Sequence, residues 1–145
     1  MKNVLVLTLV LLLLSDRSFA QDWRGLMNLN PGFSTCGDIK EILKIDSCEF
    51  PRTRYQTPEV AVSIYFSGKS NNSRIRTVTI ALRKLITVEE FQPDLSVFKT
   101  VPIPDLPNSK EYRSDRKGMY FTAQDVNDDG QMWVQAITLF KKANR

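Results

Sequence analysis

The chain has 145 residues, of which 42% are apolar and 25% charged, with a formal net charge of +4 and no histidine. That apolar share suits one globular domain with a single core. The missing histidine excludes Ser-His-Asp and Cys-His catalysis and removes the usual zinc ligand, and the basic residues are interleaved with acids rather than gathered into the stripe a nucleic-acid binder carries.

Residues 1–20 have the three parts of a signal peptide: Lys2 at the start, an uncharged apolar run from Val4 to Leu14, and small residues Ser18 and Ala20 before Gln21. The run is too short to cross a bilayer core of about 30 Å, and Asp16 and Arg17 close it. The expectation is a secreted, extracellular single domain over residues 21–145 with no membrane span. Cys36 and Cys48 are the two cysteines. Outside the cell they pair, either within one chain or between two chains. An in-chain bridge closes a short loop and contributes about 3 kcal/mol in the chain-entropy model.

Residues 21–35 mix Trp23, Leu26, Met27 and Phe33 with Asn, Pro and Gly, a turn-rich lead-in. Ile39, Ile42 and Leu43 fall at helical spacing and predict a short helical turn over residues 38–44. Val60–Phe66 alternates Val60, Val62, Ile64 and Phe66 with Ala61, Ser63 and Tyr65, the pattern of a strand, with Pro58 just before it. The polar residues 67–73 form a turn, and the β-branched residues 74–82 return as the second strand of a hairpin. Asn71-Asn72-Ser73 is an N-glycosylation sequon, which marks Asn71 as a glycosylation site in a secreted chain.

Residues 87–98 suit a helix by Phe91, Leu95 and Phe98, and a strand by the run from Ser96 onward; a strand after Pro93 is preferred. Three prolines at 102, 104 and 107 make the next stretch irregular. The polar residues 108–117 read as a surface loop. Residues 119–123 and 132–140 are two more strands, joined by a turn at Asn127-Asp128-Asp129-Gly130. The last strand is apolar on both faces, as in the middle of a sheet. Together these predict an all-β fold, an antiparallel β-sandwich with a short N-terminal helical turn.

Asp125, Asn127 and Asp129 are spaced like the start of a calcium loop, but the bidentate glutamate required at the twelfth position is Ala136. A hairpin turn is the better reading, and neither metal nor cofactor is expected. Glu89 and Glu90 are sequence neighbours, unlike carboxylates that must flank a glycosidic bond, and read as a solvated pair. No acid–base machinery remains, so the chain is expected not to be an enzyme. Trp133 is either packing or a ring platform for a ligand, and Arg74 either a turn charge or a forked donor.

Tyr55-Gln56-Thr57-Pro58-Glu59-Val60-Ala61-Val62-Ser63-Ile64, followed by Asn72-Ser73-Arg74-Ile75, resembles the opening strands of H-type lectin domains. Gly118-Met119-Tyr120-Phe121, Asp128 and the run from Trp133 to Leu139 resemble the end of that family. The chain departs where the family has tryptophans, at Val126 and Leu139, and in the long insert between the two halves. The resemblance implies a six-stranded antiparallel sandwich that assembles as trimers and binds sugars without a metal. It implies ligand contacts from Arg74, Asn127, Asp128 and Trp133. The expected partner is then a glycan or glycoprotein surface, met by a homo-oligomer. The alternative is a matrix, toxin-like or signalling protein that meets a protein partner through residues 102–117.

Overall fold

The computed structural model describes residues 23–92 and 94–143, so the signal peptide assigned to residues 1–20 lies outside the described residues. A 3₁₀ turn, Trp23–Asn28, and helix α1, Cys36–Leu43, lead into the strands. These are β1 (Arg52–Gln56), β2 (Val60–Phe66), β3 (Ile75–Thr87), β4 (Lys99–Pro102), β5 (Ser109–Ser114), β6 (Met119–Gln124) and β7 (Trp133–Phe140). A four-residue helix α2, Val88–Phe91, follows β3. The expected all-β class holds. The strands, however, join one seven-stranded antiparallel sheet in the order β1-β2-β3-β7-β6-β5-β4, where a sandwich would divide them between two. The cover that a second sheet would supply comes instead from the helical segments: Trp23, Leu26, Ile39, Leu43 and Val88 are buried in the same core as the strands.

Alternation explains the core. Val62, Ile80, Ile137, Phe121 and Tyr112 stand opposite one another across five strands and are all buried. Ile64, Val78, Leu139 and Met119 form the next row. Side chains one residue out of phase point to the other face. That outer face carries Arg54, Ser63, Thr79, Thr138, Tyr120, Arg113 and Lys99 in a single row across all seven strands. A neighbouring row holds Gln56, Ala61, Ala81, Ala136, Thr122, Glu111 and Val101.

The pairing shifts register at three places, once between β2 and β3 at Tyr65/Phe66 and twice along β7. Between β3 and β7 the pairing jumps from Ala81↔Ala136 to Ile86↔Val134. Between β6 and β7 it jumps from Thr122↔Ala136 to Ala123↔Val134, leaving Gln135 as an extra residue. An extra residue reverses the facing of everything before it. Val134 therefore joins Ile137 in the core, and Trp133 turns to the outer face instead of sharing the face of Ile137 and Leu139.

Two strands carry no strong apolar pattern. β5 occupies the segment expected as a surface loop; of its inward residues only Tyr112 is a large hydrophobe, with Ser114 beside it. β1 is an edge strand of sequence Arg-Thr-Arg-Tyr-Gln. The strand expected after Pro93 begins later, at Lys99, and Pro102 closes it as an edge strand. The bridge is within one chain, Cys36 to Cys48 with Cα atoms 6.1 Å apart, which settles the two pairings in favour of the short loop.

Helix α2 is held by a reciprocal cap. Thr87 Oγ1 accepts from the Glu90 amide at 3.2 Å, and a Glu90 carboxylate oxygen accepts from the Thr87 amide at 2.8 Å. The bond from the Thr87 amide, with that from its hydroxyl, holds the Glu90 carboxyl below its ordinary pKa. A depressed folded pKa contributes stability that is present above the unfolded glutamate value and lost as pH falls through the folded one. Thr87→Ala is expected to cost about 1 kcal/mol in urea unfolding at neutral pH. Glu90→Gln is expected to flatten the decline in stability on acidification; an unchanged pH profile would show that the cap contributes nothing.

Candidate functional site

The four ligand residues implied by the resemblance do not converge. Arg74 enters β3, and its guanidinium donates to the Phe33 carbonyl at 2.5 Å. Trp133 pairs with Thr87 at the other end of the same strand. β3 has 13 residues, about 40 Å of extended chain. The separation has a plain cause: β3 and β7 are antiparallel, so the start of one lies beside the end of the other. Asn127 and Asp128 do lie near Trp133, in the β6–β7 turn. The Trp133 indole N–H is buried and has no hydrogen-bond partner, so it offers no free donor to a sugar hydroxyl. Asp128 accepts from the Asn108 side-chain amide at 2.6 Å. Asn127 is exposed.

The acids resolve in the same way. Asp125 accepts from the amides of Asp129 at 3.2 Å and Gly130 at 2.7 Å, and Asp129 accepts from the Gln131 amide. Their oxygens stabilise a turn in which Asp128 and Gly130 have positive φ. Among the described residues no group of three or more Asp, Glu, Cys or His side chains is placed to hold a metal. Glu90 caps α2, while Glu89 accepts from the Gln131 side chain at 2.9 Å, so the two neighbours serve different local contacts. Asn71, in the sequon, sits exposed in the β2–β3 turn.

What the structure does assemble is a cleft at the loop end of the sheet. The β4–β5 turn and the β6–β7 turn stand side by side, joined by the Asn108–Asp128 bond and by the Asp125 amide donating to the Asn108 carbonyl at 2.9 Å. Asp105 and Asn108 both take positive φ, which folds the proline-rich segment back on itself. The space between is about 650 Å³, within the range of ligand sites. Pro102, Ile103, Leu106, Pro107 and Met132 give it apolar walls, and Asp105 and Lys110 add one charge of each sign. Leu106 is 54% exposed and Val126, next to the lining residue Asp125, is 45% exposed. The sequence pointed to residues 102–117 as a contact loop; Met132 was missed as a wall because only the hairpin pairing brings it there.

Among the described residues no helix is long and apolar enough to cross a membrane. No protein-family model, no curated protein and no solved structure matches this chain.

Proposed function

We propose that this chain is an extracellular, non-enzymatic binding protein that receives a short apolar segment of a protein partner in the cleft between the β4–β5 and β6–β7 turns. The observation that carries this is the exposure of Leu106 and Val126 beside a cleft with walls of proline, isoleucine, leucine and methionine. Exposed apolar side chains gathered around a concavity lose water when a partner's apolar groups enter. Asp105 and Lys110 give the occupant's backbone one donor and one acceptor. The in-chain disulfide is supported by an oxidising compartment, in keeping with export. A neutral-sugar site built on Arg74 and Trp133 has less behind it, since the first is committed to Phe33 and the second has its N–H buried.

The test uses a displayed library of random linear peptides panned on the purified chain, followed by titration of an enriched synthetic peptide. Leu106→Asp is expected to weaken that peptide by about tenfold, or 1.4 kcal/mol. The same change on an exposed side chain is expected to leave stability within about 0.5 kcal/mol. Peptides that bind the variant as well as the parent would place recognition elsewhere, and retention on a neutral glycan array with no peptide enriched would overturn the reading.

A further inference from the structure

The outer face of the sheet is a second, independent surface, and its charges are unusual. Arg52 and Arg54 lie on it at the β1 edge, and Arg113 and Lys99 at the opposite side on β5 and β4. The one carboxylate in these rows is Glu111. Among the described residues the only ion pair is Arg113 with Asp115, at 2.9 Å, so Arg52, Arg54 and Lys99 carry their charge without an acid partner. One polar atom of this group is already desolvated: Arg52 Nε is buried and makes no hydrogen bond.

Aromatic residues of the face hold two of these cations, Arg52 and Arg113, in position. The Arg52 guanidinium lies 4.9 Å from the Tyr65 ring centre and donates to Ser63 Oγ at 2.9 Å. That of Arg113 lies 4.8 Å from Phe140 and 6.0 Å from Tyr120. A ring beneath a guanidinium reduces the freedom it must lose on binding. It also covers the ring, which is then closed to stacking by a neutral sugar. Between the two cationic ends the row holds half-buried Ser63 and Thr79, buried Thr138 and the ring of Tyr120, and none of these carries a charge that would oppose an anion. At about 4.8 Å per strand the row from Arg54 to Arg113 spans about 24 Å.

We propose that this outer face binds an extended sulfated polysaccharide, laid across the strands with its anionic groups on Arg52 and Arg54 at one end and Arg113 and Lys99 at the other. Planar guanidinium forks match tetrahedral oxyanions. A linear polyanion fits two separated cation pairs better than a compact anion does. A disulfide-stabilised chain works where sulfated polysaccharides, rather than nucleic acids, are the abundant polyanions. The surface does not depend on the peptide cleft.

The test is titration of the purified chain with size-defined heparin fragments at low salt and at roughly 0.15 M salt, where exposed charges are screened beyond about 8 Å. Arg54→Glu with Lys99→Glu changes two exposed side chains and is expected to lower affinity by about tenfold or more. Lys40→Glu with Lys69→Glu makes the same change in net charge on α1 and in the β2–β3 turn and is expected to leave affinity within about twofold. Circular dichroism of both variants establishes that the fold survives. The proposal falls if the two double variants lose affinity equally, since net charge alone then accounts for binding. It falls also if desulfated heparin binds as tightly as the sulfated fragments, or if single-stranded DNA or phosphatidylserine vesicles compete better than heparin.

Discussion

Phe121→Ala is expected to lower the free energy of unfolding by about 3–5 kcal/mol, a large part of the 5–15 kcal/mol typical of a single domain. Phe121 is fully buried on β6, and three rings converge on it from three parts of the chain. Tyr112 from β5 stacks on it at 4.7 Å, Phe91 from α2 meets it edge-on at 5.1 Å, and Phe98 before β4 does so at 5.4 Å. Truncation removes the ring's own burial and leaves a hole lined by three others, two of them carried on α2 and β5, so the cavity cannot readily collapse. Burial, with Glu89 adding to it, raises the Tyr112 hydroxyl pKa, in keeping with its place in this cluster. Phe121→Leu, which retains most of the volume, is expected to cost well under half as much. Urea unfolding of the three proteins with a common slope measures this. A loss under about 1 kcal/mol for the alanine variant would mean that the cluster is not the anchor of this half of the sheet.

Removal of the Cys36–Cys48 bridge has the next largest expected effect, about 3 kcal/mol. The bridge spans a sequence separation of 12 and encloses the whole of α1 beyond its first residue. Eight residues make a helix too short to persist by itself, yet Ile39 and Leu43 of that helix are fully buried in the core. Closing the loop lowers the entropy of the unfolded chain and keeps those two side chains within reach of their sites. Cys36→Ala with Cys48→Ala should therefore shift the urea midpoint downward, and a reductant should shift the parent to about the same place while leaving the double variant unchanged. A reductant that moves both proteins alike would show that its action lies elsewhere. Other bonds tie only the segment just before the loop to the sheet: the Gly32 amide donates to the Ile75 carbonyl at 2.7 Å, and the Ile75 amide to the Ser34 carbonyl at 2.8 Å. Their presence predicts that the reduced protein loosens first around residues 36–48, measurable as faster amide exchange in α1 than in β3.

The strands legible in the sequence were those whose inward residues are large and apolar. β2, β3 and β7 announce themselves through Val60, Val62, Ile64, Val78, Ile80, Ile137 and Leu139. β5 does not, because its buried residues are Ser109, Ser114 and a single tyrosine, with charged Lys110, Glu111 and Arg113 between them. β1 is hidden for a related reason: an edge strand of two arginines, a threonine, a tyrosine and a glutamine has no apolar period to read. The candidate sites followed the same division. Residues 102–117 were marked as a contact segment by their prolines and charges, and the part of it up to Lys110 lines the cleft. The ligand set of Arg74, Asn127, Asp128 and Trp133 rested on matching short strings, and a string does not tell which end of a strand faces which.

By itself the sequence determined the local periods, the turns at residues 67–73 and 127–130, and a central last strand, because alternation and turn chemistry act over a few neighbouring residues. Only the tertiary structure decided that seven strands make one sheet, that the extra residue at Gln135 sends Trp133 outward, and that Arg52, Arg54, Lys99 and Arg113 share a face. Those outcomes depend on which strands pair and in what register. Pairing joins residues dozens of positions apart, and a slip of one place exchanges the buried face for the open one.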